Sequence, residues 1–540
     1  MRDAQNRRSV AIALRSSVYV SVVLACVTCG FTPVTPPGSS AGGSSATSSS
    51  SSGSTGIPGS SGSTGTPDSG GVPGSGGSPT VTGAGAPSGG GSDGNAAGSS
   101  GAGGTPGAGG GTAKPPNNPN LKYTKLTIHN RFLAESVAIA DFNHDGVLDI
   151  AAGRRWYAGP FVPNYDLSTG EHIYRDGHED LPTTGAEVEI NTGVSDSWAA
   201  YSYDINGDGW DDIIQIAASD MGPMLAGQNP ITFGTGNWYL NPKNTGTGNW
   251  QKYQISADMR GEHKGFVDMT GDGKPEILGS CKSCNPTQTW GYWQADWANP
   301  TAPWTFHPVT RTYEYKDGCC GWLHGIGAGD VNGDGKPDLL ERSGVWLQPA
   351  VTTQPWTFIN VAFSIPEFLG TQADIGGSQM YAYDVDGDGL TDIVNSLNSH
   401  GYGLAWFKQA PAGTFTRQMI MNTPEEAAMY QNVAVSQLHS LCFEDMDGDG
   451  LKDIITGKMF LAHPYQTGDA GNMDPVQLYI FKLVRTPTAH FEPHLIDADT
   501  PTEKGSGVAR EFKVVDMNKD GVMDFVIASK RGLFVYLGSP

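Results

Sequence analysis

The stretch Asp330-Val-Asn-Gly-Asp-Gly-Lys-Pro-Asp338 constrains this chain more than any other feature. Carboxylate or amide oxygens stand at its first, third, fifth and ninth positions, and a glycine at its sixth. A short loop of this kind encircles a hard cation. The side chains at one, three and five point inward, and the glycine permits the sharp turn. The ninth residue closes the shell, and the carbonyl of the seventh adds a ligand. The pattern recurs with its first Asp at 141, 204, 268, 330, 384, 445 and 516, at intervals of 63, 64, 62, 54, 61 and 71. A regular period of this size means stacked or radially arranged units. An Asp-Gly hairpin turn accounts for one such loop without a metal, but not for seven in period.

The candidate metal ligands follow from the spacing. They are Asp141, Asn143, Asp145 and Asp149; Asp204, Asn206, Asp208 and Asp212; Asp268, Thr270, Asp272 and Glu276; Asp330, Asn332, Asp334 and Asp338; Asp384, Asp386, Asp388 and Asp392; Asp445, Asp447, Asp449 and Asp453; and Asp516, Asn518, Asp520 and Asp524. This predicts up to seven calcium ions in structural roles. Thr270 and Glu276 depart from the pattern, so the third loop is expected to bind weakest.

The flanks repeat as well. A short alternating run precedes each loop, such as Phe512-Lys-Val-Val, and an apolar run follows, such as Asp453-Ile-Ile. Each pair reads as a β-hairpin whose turn is the loop. A third strand follows, centred on Trp156, Trp238, Trp293, Trp346, Trp406, Tyr479 or Phe534, aromatics read as packing between repeats. A fourth strand ends most units, as in Trp250-Gln-Lys-Tyr-Gln-Ile. Four strands per unit and seven units predict an all-β, seven-bladed propeller with four-stranded blades. After the last loop the chain stops one strand short, and Lys122–His129 stands alone before the first. This N-terminal strand is expected to complete the last blade and close the ring, which removes two exposed edges.

These loops and strands, from Leu121 to Pro540, resemble the FG-GAP/VCBS repeats of integrin-α-type calcium-binding propellers. The resemblance implies fold and calcium. It is nearly silent on activity, because such repeats occur in adhesion proteins, lectins, some polysaccharide lyases and the propeller part of fungal aldos-2-ulose dehydratase.

The net charge of −22 disfavours nucleic acid and anionic membranes as partners. Of the 55 acidic residues, 23 occupy ligand positions in the loops, so the acidity reads as metal sites awaiting cations.

In a propeller the first strand of each blade lines the central channel. If the loops lie on one face, the start of that strand lies at the channel mouth on the other. Six residues before each first Asp stand Glu135, Trp198, Glu262, His324, Ser378, His439 and Arg510, with His263 and Glu511 one residue further on. The loops between second and third strands bring Arg154, Arg155, Arg342, His400, His463, Lys530 and Arg531 to the same side, which predicts a locally cationic face. A ring of His, Glu, Arg and Trp around a concave mouth has the makings of a ligand site. The ligand-binding candidates are Glu135, Trp198, Glu262, His263, His324, His439, Arg510, His400, His463 and Arg342. The competing reading makes them solvated loop and channel residues.

The remaining signals concern compartment. Arg2, Arg7, Arg8 and Arg15 precede an apolar run from Val18 to Val27, the layout of a secretory signal. Val23-Leu24-Ala25-Cys26 resembles a bacterial lipobox, so residues 1–26 are expected to be a signal peptide with Cys26 acylated; an ordinary cleaved signal is the alternative. Residues 27–120, rich in Gly, Ser, Thr and Pro, have too little apolar surface to order and read as a disordered tether. Export favours oxidation, so Cys281, Cys284, Cys319 and Cys320 are expected to form disulfides, with a zinc site and free thiols as alternatives. Cys442 falls in an inner strand and reads as a buried thiol. The chain is thus expected to be exported, and anchored at the outer surface of a membrane or secreted. The function expected is a binding module for a glycan or extracellular protein ligand. The alternative is a lyase or dehydratase acting on acidic carbohydrate.

Overall fold

The computed structural model describes residues 118–175, 195, 197–217, 234–243, 248–281, 289–309, 324–352, 354–365, 376–411, 413–462 and 469–539. The signal segment with Cys26, the tether as far as residue 117, His463, Cys284, Cys319 and Cys320 lie outside the described residues. All described residues belong to the unit Gly91–Pro540.

The runs flanking each loop become antiparallel hairpins, as their alternation requires. In the fourth repeat Ile326–Gly329 pairs with Asp338–Glu341, then Gly344–Leu347, then Thr357–Asn360. The described residues form five four-stranded sheets and one eight-stranded sheet. The eight-stranded sheet consists of two such four-strand runs, joined where Ile326–Gly329 lies parallel to Gln379–Tyr383. The architecture is an all-β propeller. Among the described residues helix is confined to Leu167–Gly170 and to a two-turn 3-10 segment, Pro424–Met429.

The loops hold the hairpins by local hydrogen bonds. Asp330 Oδ1 accepts the N–H groups of Gly333 at 2.7 Å and Asp334 at 3.0 Å, and its Oδ2 accepts that of Gly335 at 2.7 Å. Gly335 has φ +83°, in the left-handed region that a Cβ disfavours, which is why the sixth position is glycine.

The core lies between sheets. Ala138, Phe142 and Trp156 of the first repeat pack with Ile213, Tyr239 and Trp250 of the second. Equivalent clusters join the second repeat to the third, the third to the fourth, and so on along the chain. A last cluster packs Val137, Ile150 and Tyr157 of the first repeat against Met517, Val526 and Val535 of the seventh. Apolar packing therefore runs from repeat to repeat and returns to its start. The aromatics Trp156, Trp238, Trp293, Trp346, Trp406, Tyr479 and Phe534 are all buried in these clusters, as a packing role demands. Lys122–His129 pairs antiparallel with Gly532–Ser539, so the N-terminal strand completes the sheet of the last repeat. Cys442 is a buried free thiol whose Sγ lies 3.4 Å from the carbonyl of Phe512.

Candidate functional site

The turn loops offer the first donor set. Among the described acidic side chains, Asp384, Asp386 and Asp392 each present a ligand atom, and these atoms lie within 4.8 Å of one another; Asp445, Asp447 and Asp453 do the same. Oxygens on opposite sides of a calcium ion are about 5 Å apart, so these donors fit a hard cation.

The ninth residue of each loop has a second task. Asp392 Oδ2 accepts the N–H of Val385 at 3.0 Å, and its Oδ1 accepts that of Gln409 at 2.7 Å. Asp149, Asp212, Asp338, Asp453 and Asp524 each tie the loop to the third strand in the same way. Glu276 is one carbon longer. Its Oε2 accepts from Met269, while the side chain of Gln294, not a backbone N–H, reaches its Oε1. The same third-strand positions clasp the preceding repeat. The side chains of Asn241, Gln348 and Gln409 donate to the carbonyls of Phe142, Met269 and Val331.

Lys243 and Lys336 each pair with one loop carboxylate, Asp208 and Asp334, but in two other loops a third-strand lysine bridges two carboxylates, which spacing did not reveal. Lys408 bridges Asp386 and Asp388, and Lys482 bridges Asp447 and Asp449. These are the two loops with Asp rather than Asn or Thr at the third position. The lysine thus accompanies the extra carboxylate, a signal legible in the sequence once the third strands are aligned.

The other end of the first strands holds the second donor set. His324 is six residues from Asp330, roughly 20 Å of extended chain. There the residues at corresponding positions converge. Arg510 Nε donates to Glu262 Oε2 at 2.9 Å, and its Nη1 pairs with Glu135 Oε1. The Arg510 guanidinium stacks 4.2 Å above the ring of Trp198. His439 Nε2 lies 3.2 Å from Glu262 Oε2, and His324 Nε2 lies 3.8 Å from Glu262 Oε1. The ring centres of His263, His324 and His439 are 4.8 to 5.2 Å apart. His400 joins them, its Nε2 3.3 Å from His324 Nε2. Side chains from non-adjacent repeats touch here, so these strand ends lie near the ring axis.

Burial decides the electrostatics. Glu135 and His439 are 0% exposed, His324 1%, Arg510 3% and Glu262 4%. Desolvation holds the imidazoles neutral: His263 is pushed down to about 4, and His324 and His439 well below the ordinary histidine value. Burial also opposes ionisation of Glu262, but Arg510 foremost outweighs it and holds that carboxyl well below its usual range.

Two expectations need correction. The converging residues are not an open ring around a concavity; they are packed and mutually paired, because buried charges require partners. Nor is the surrounding face an array of unpaired cations. Arg531 pairs with Asp499, Arg155 pairs with Glu171, and buried Lys530 donates to the carbonyl of Leu461. Arg342 is half-buried beside the backbone that carries His324: a Cβ added at Gly325 would lie 3.4 Å from its own Cβ. Ser378 is buried and its N–H donates to Ser396 Oγ at 2.8 Å, whose hydroxyl in turn donates to the carbonyl of Leu438.

Three participants went unread in the sequence. Gln379 ties the strand ends together, donating to the carbonyl of Arg510 and accepting from the N–H of Leu441. It stands one residue after the aligned position, as His263 does, and extending the alignment by one would have found it. Lys264 is buried, donates to the carbonyls of Arg260 and Gly261, and is pushed down to about 7 by desolvation. Asp469, 3.5 Å from His400 Nδ1, lies outside the repeat pattern and has no sequence signal.

An all-β propeller with acidic turn loops and a buried polar cluster near its axis is thus defined. The chain contains an FG-GAP-like repeat at residues 384–456, which runs from the fifth loop to the strand after the sixth. No curated protein matches the chain. Among solved structures it is similar to the rhamnogalacturonan lyase YesW, at 11% identity and a TM-score of 0.35, covering 77% of this chain and 75% of that one. It is also similar to the exo-type rhamnogalacturonan lyase YesX, at 11% identity and a TM-score of 0.35, covering 79% and 75%. Likeness at this level carries no argument about activity.

Proposed function

We propose that this chain is an exported, calcium-stabilised propeller that serves as a binding module for a glycan or extracellular protein ligand. The ligand engages the end of the channel opposite the acidic loops. The observation that supports this reading is the packed cluster of His263, His324, His439, Glu262 and Arg510, which braces the strand ends at that end of the channel from beneath. Packing alone is served by apolar residues, and an interior of imidazoles and charges is destabilising unless it has another task.

Two further parts belong to the reading. The eight-stranded sheet counts as two blades, which brings the ring to seven; the chain of apolar clusters from repeat to repeat supports that count. The loops hold structural calcium, through the side chains at positions one, three, five and nine. Bound calcium supplies positive charge that relieves the repulsion among those carboxylates, and Lys408 and Lys482 do part of the same work in their two loops. Export, with a lipid anchor at Cys26, is supported by the Arg-rich, then apolar, N-terminal pattern.

A screen of the full chain against uronate polysaccharides and other glycans tests the reading. It should find binding without new absorbance from double bonds. Appearance of that absorbance would replace the module with a lyase, and no binding to any glycan or extracellular protein would end the proposal.

A further inference from the structure

The channel cluster has the composition of a metal centre of a different kind from the loops. His263, His324 and His439 each offer one ligand atom, and these atoms lie within 4.8 Å of one another. All three side chains are at most 1% exposed. Their arrangement leaves nitrogen lone pairs without partners. His263 Nε2 lies 2.6 Å from the carbonyl of His439, and a carbonyl only accepts, so Nε2 carries the proton. The lone pair of His263 is therefore on Nδ1, which has no hydrogen-bond partner. His324 Nδ1 and His439 Nδ1 also make no hydrogen bond, while His439 Nε2 lies 3.2 Å from Glu262 Oε2. Buried polar atoms in native proteins are nearly always satisfied, and several orphans in one cluster call for an absent partner.

We infer that His263, His324 and His439, with His400 as fourth ligand, form a site for a late first-row divalent ion, zinc foremost. Imidazole donors select such ions over calcium and magnesium, which prefer oxygen. The spacing agrees. One ligand atom from each of His263, His324 and His439 lies within 4.8 Å of the others, close enough for side-chain adjustment to reach the roughly 3.3 Å between nitrogens on a tetrahedral zinc. The surroundings are those of a metal site as well. The carbonyl of His439 fixes the His263 tautomer, and Asp469 stands 3.5 Å from His400 Nδ1. The site stands whether or not this end of the channel binds a glycan.

Zinc titration of the full chain, stripped with chelator and then saturated with calcium to occupy the acidic loops, tests the inference by calorimetry. One tight zinc site is expected, weakened roughly a hundredfold or more in the double variant His324→Ala, His439→Ala. No zinc uptake, or uptake unchanged in that variant, overturns it. X-ray absorption on the zinc-loaded wild type keeps the inference testable if the variant does not fold. A shell of imidazole nitrogens supports the site; a shell of oxygens alone overturns it.

Discussion

Arg510 Nε and Glu262 Oε2 meet at 2.9 Å although 248 residues separate them in the chain. The contact fastens the seventh repeat to the third across the ring axis. Glu135, of the first repeat, takes the other side of the guanidinium.

Removing the cation from this network leaves two buried carboxylates unpaired. Arg510→Met is expected to destabilise the fold by about 3–5 kcal/mol. Chemical denaturation measures this. A cost below about 1 kcal/mol would show that water already solvates Glu135 and Glu262.

The ninth carboxylates separate two roles. Asp392→Ala removes acceptors from the N–H groups of Val385 and Gln409, so it should cost about 2–4 kcal/mol even in chelator. Asp386→Ala removes a cation-facing carboxylate that pairs with Lys408 and accepts the N–H of Asp388; it should cost less in chelator than Asp392→Ala but reduce the stabilisation that calcium adds. Equal behaviour of the two variants in chelator would contradict the division.

Lys408 sits where it weakens a neighbouring divalent cation. Lys408→Leu should lower the melting temperature in chelator and enlarge the rise produced by calcium, relative to wild type. The lysine holds two carboxylates in the metal-free loop and repels the ion in the filled one. A calcium-induced rise that is smaller than in wild type would contradict this placement.

His129 makes the fold sensitive to acid. Its Nδ1 accepts the N–H of Arg131 and its Nε2 faces Tyr157 Oη, and burial, then Arg131, push its pKa down to about 3. A depressed histidine contributes stability that is full above its unfolded value near 6.5 and is lost as pH falls toward 3. Denaturation between those limits should show wild type losing on the order of 3–5 kcal/mol more than His129→Gln. Parallel losses in the two proteins would rule His129 out as the cause.

Much of this was legible because it repeats. The loop spacing located the hairpins, and the odd strand Lys122–His129 located the ring closure. Aligning backwards from each first Asp located Glu135, Trp198, Glu262, His324, His439 and Arg510. What the alignment did not carry was the packing across the axis. A linear pattern places residues on strand ends but does not say that they touch, so the mouth read as open when its residues are buried. His400 and Asp469 approach from loops whose lengths differ between repeats, and no period fixes them. The pairing of the cations on that face went unread for a related reason: Arg531 meets Asp499, and Arg155 meets Glu171, only once the strands fold together.

The central claim is that the loops hold the ring together while the opposite end of the channel, braced by the buried cluster, engages the ligand. Binding of a uronate polysaccharide and calcium-dependent melting, measured side by side in Glu262→Gln and Asp330→Asn, test it most directly. The account predicts that Glu262→Gln, which removes the charge-assisted contact to Arg510 that braces that end, weakens binding at least about tenfold and keeps the calcium-induced rise in melting temperature. Asp330→Asn should lose part of that rise and keep its affinity. Binding lost in Asp330→Asn but retained in Glu262→Gln would contradict the account.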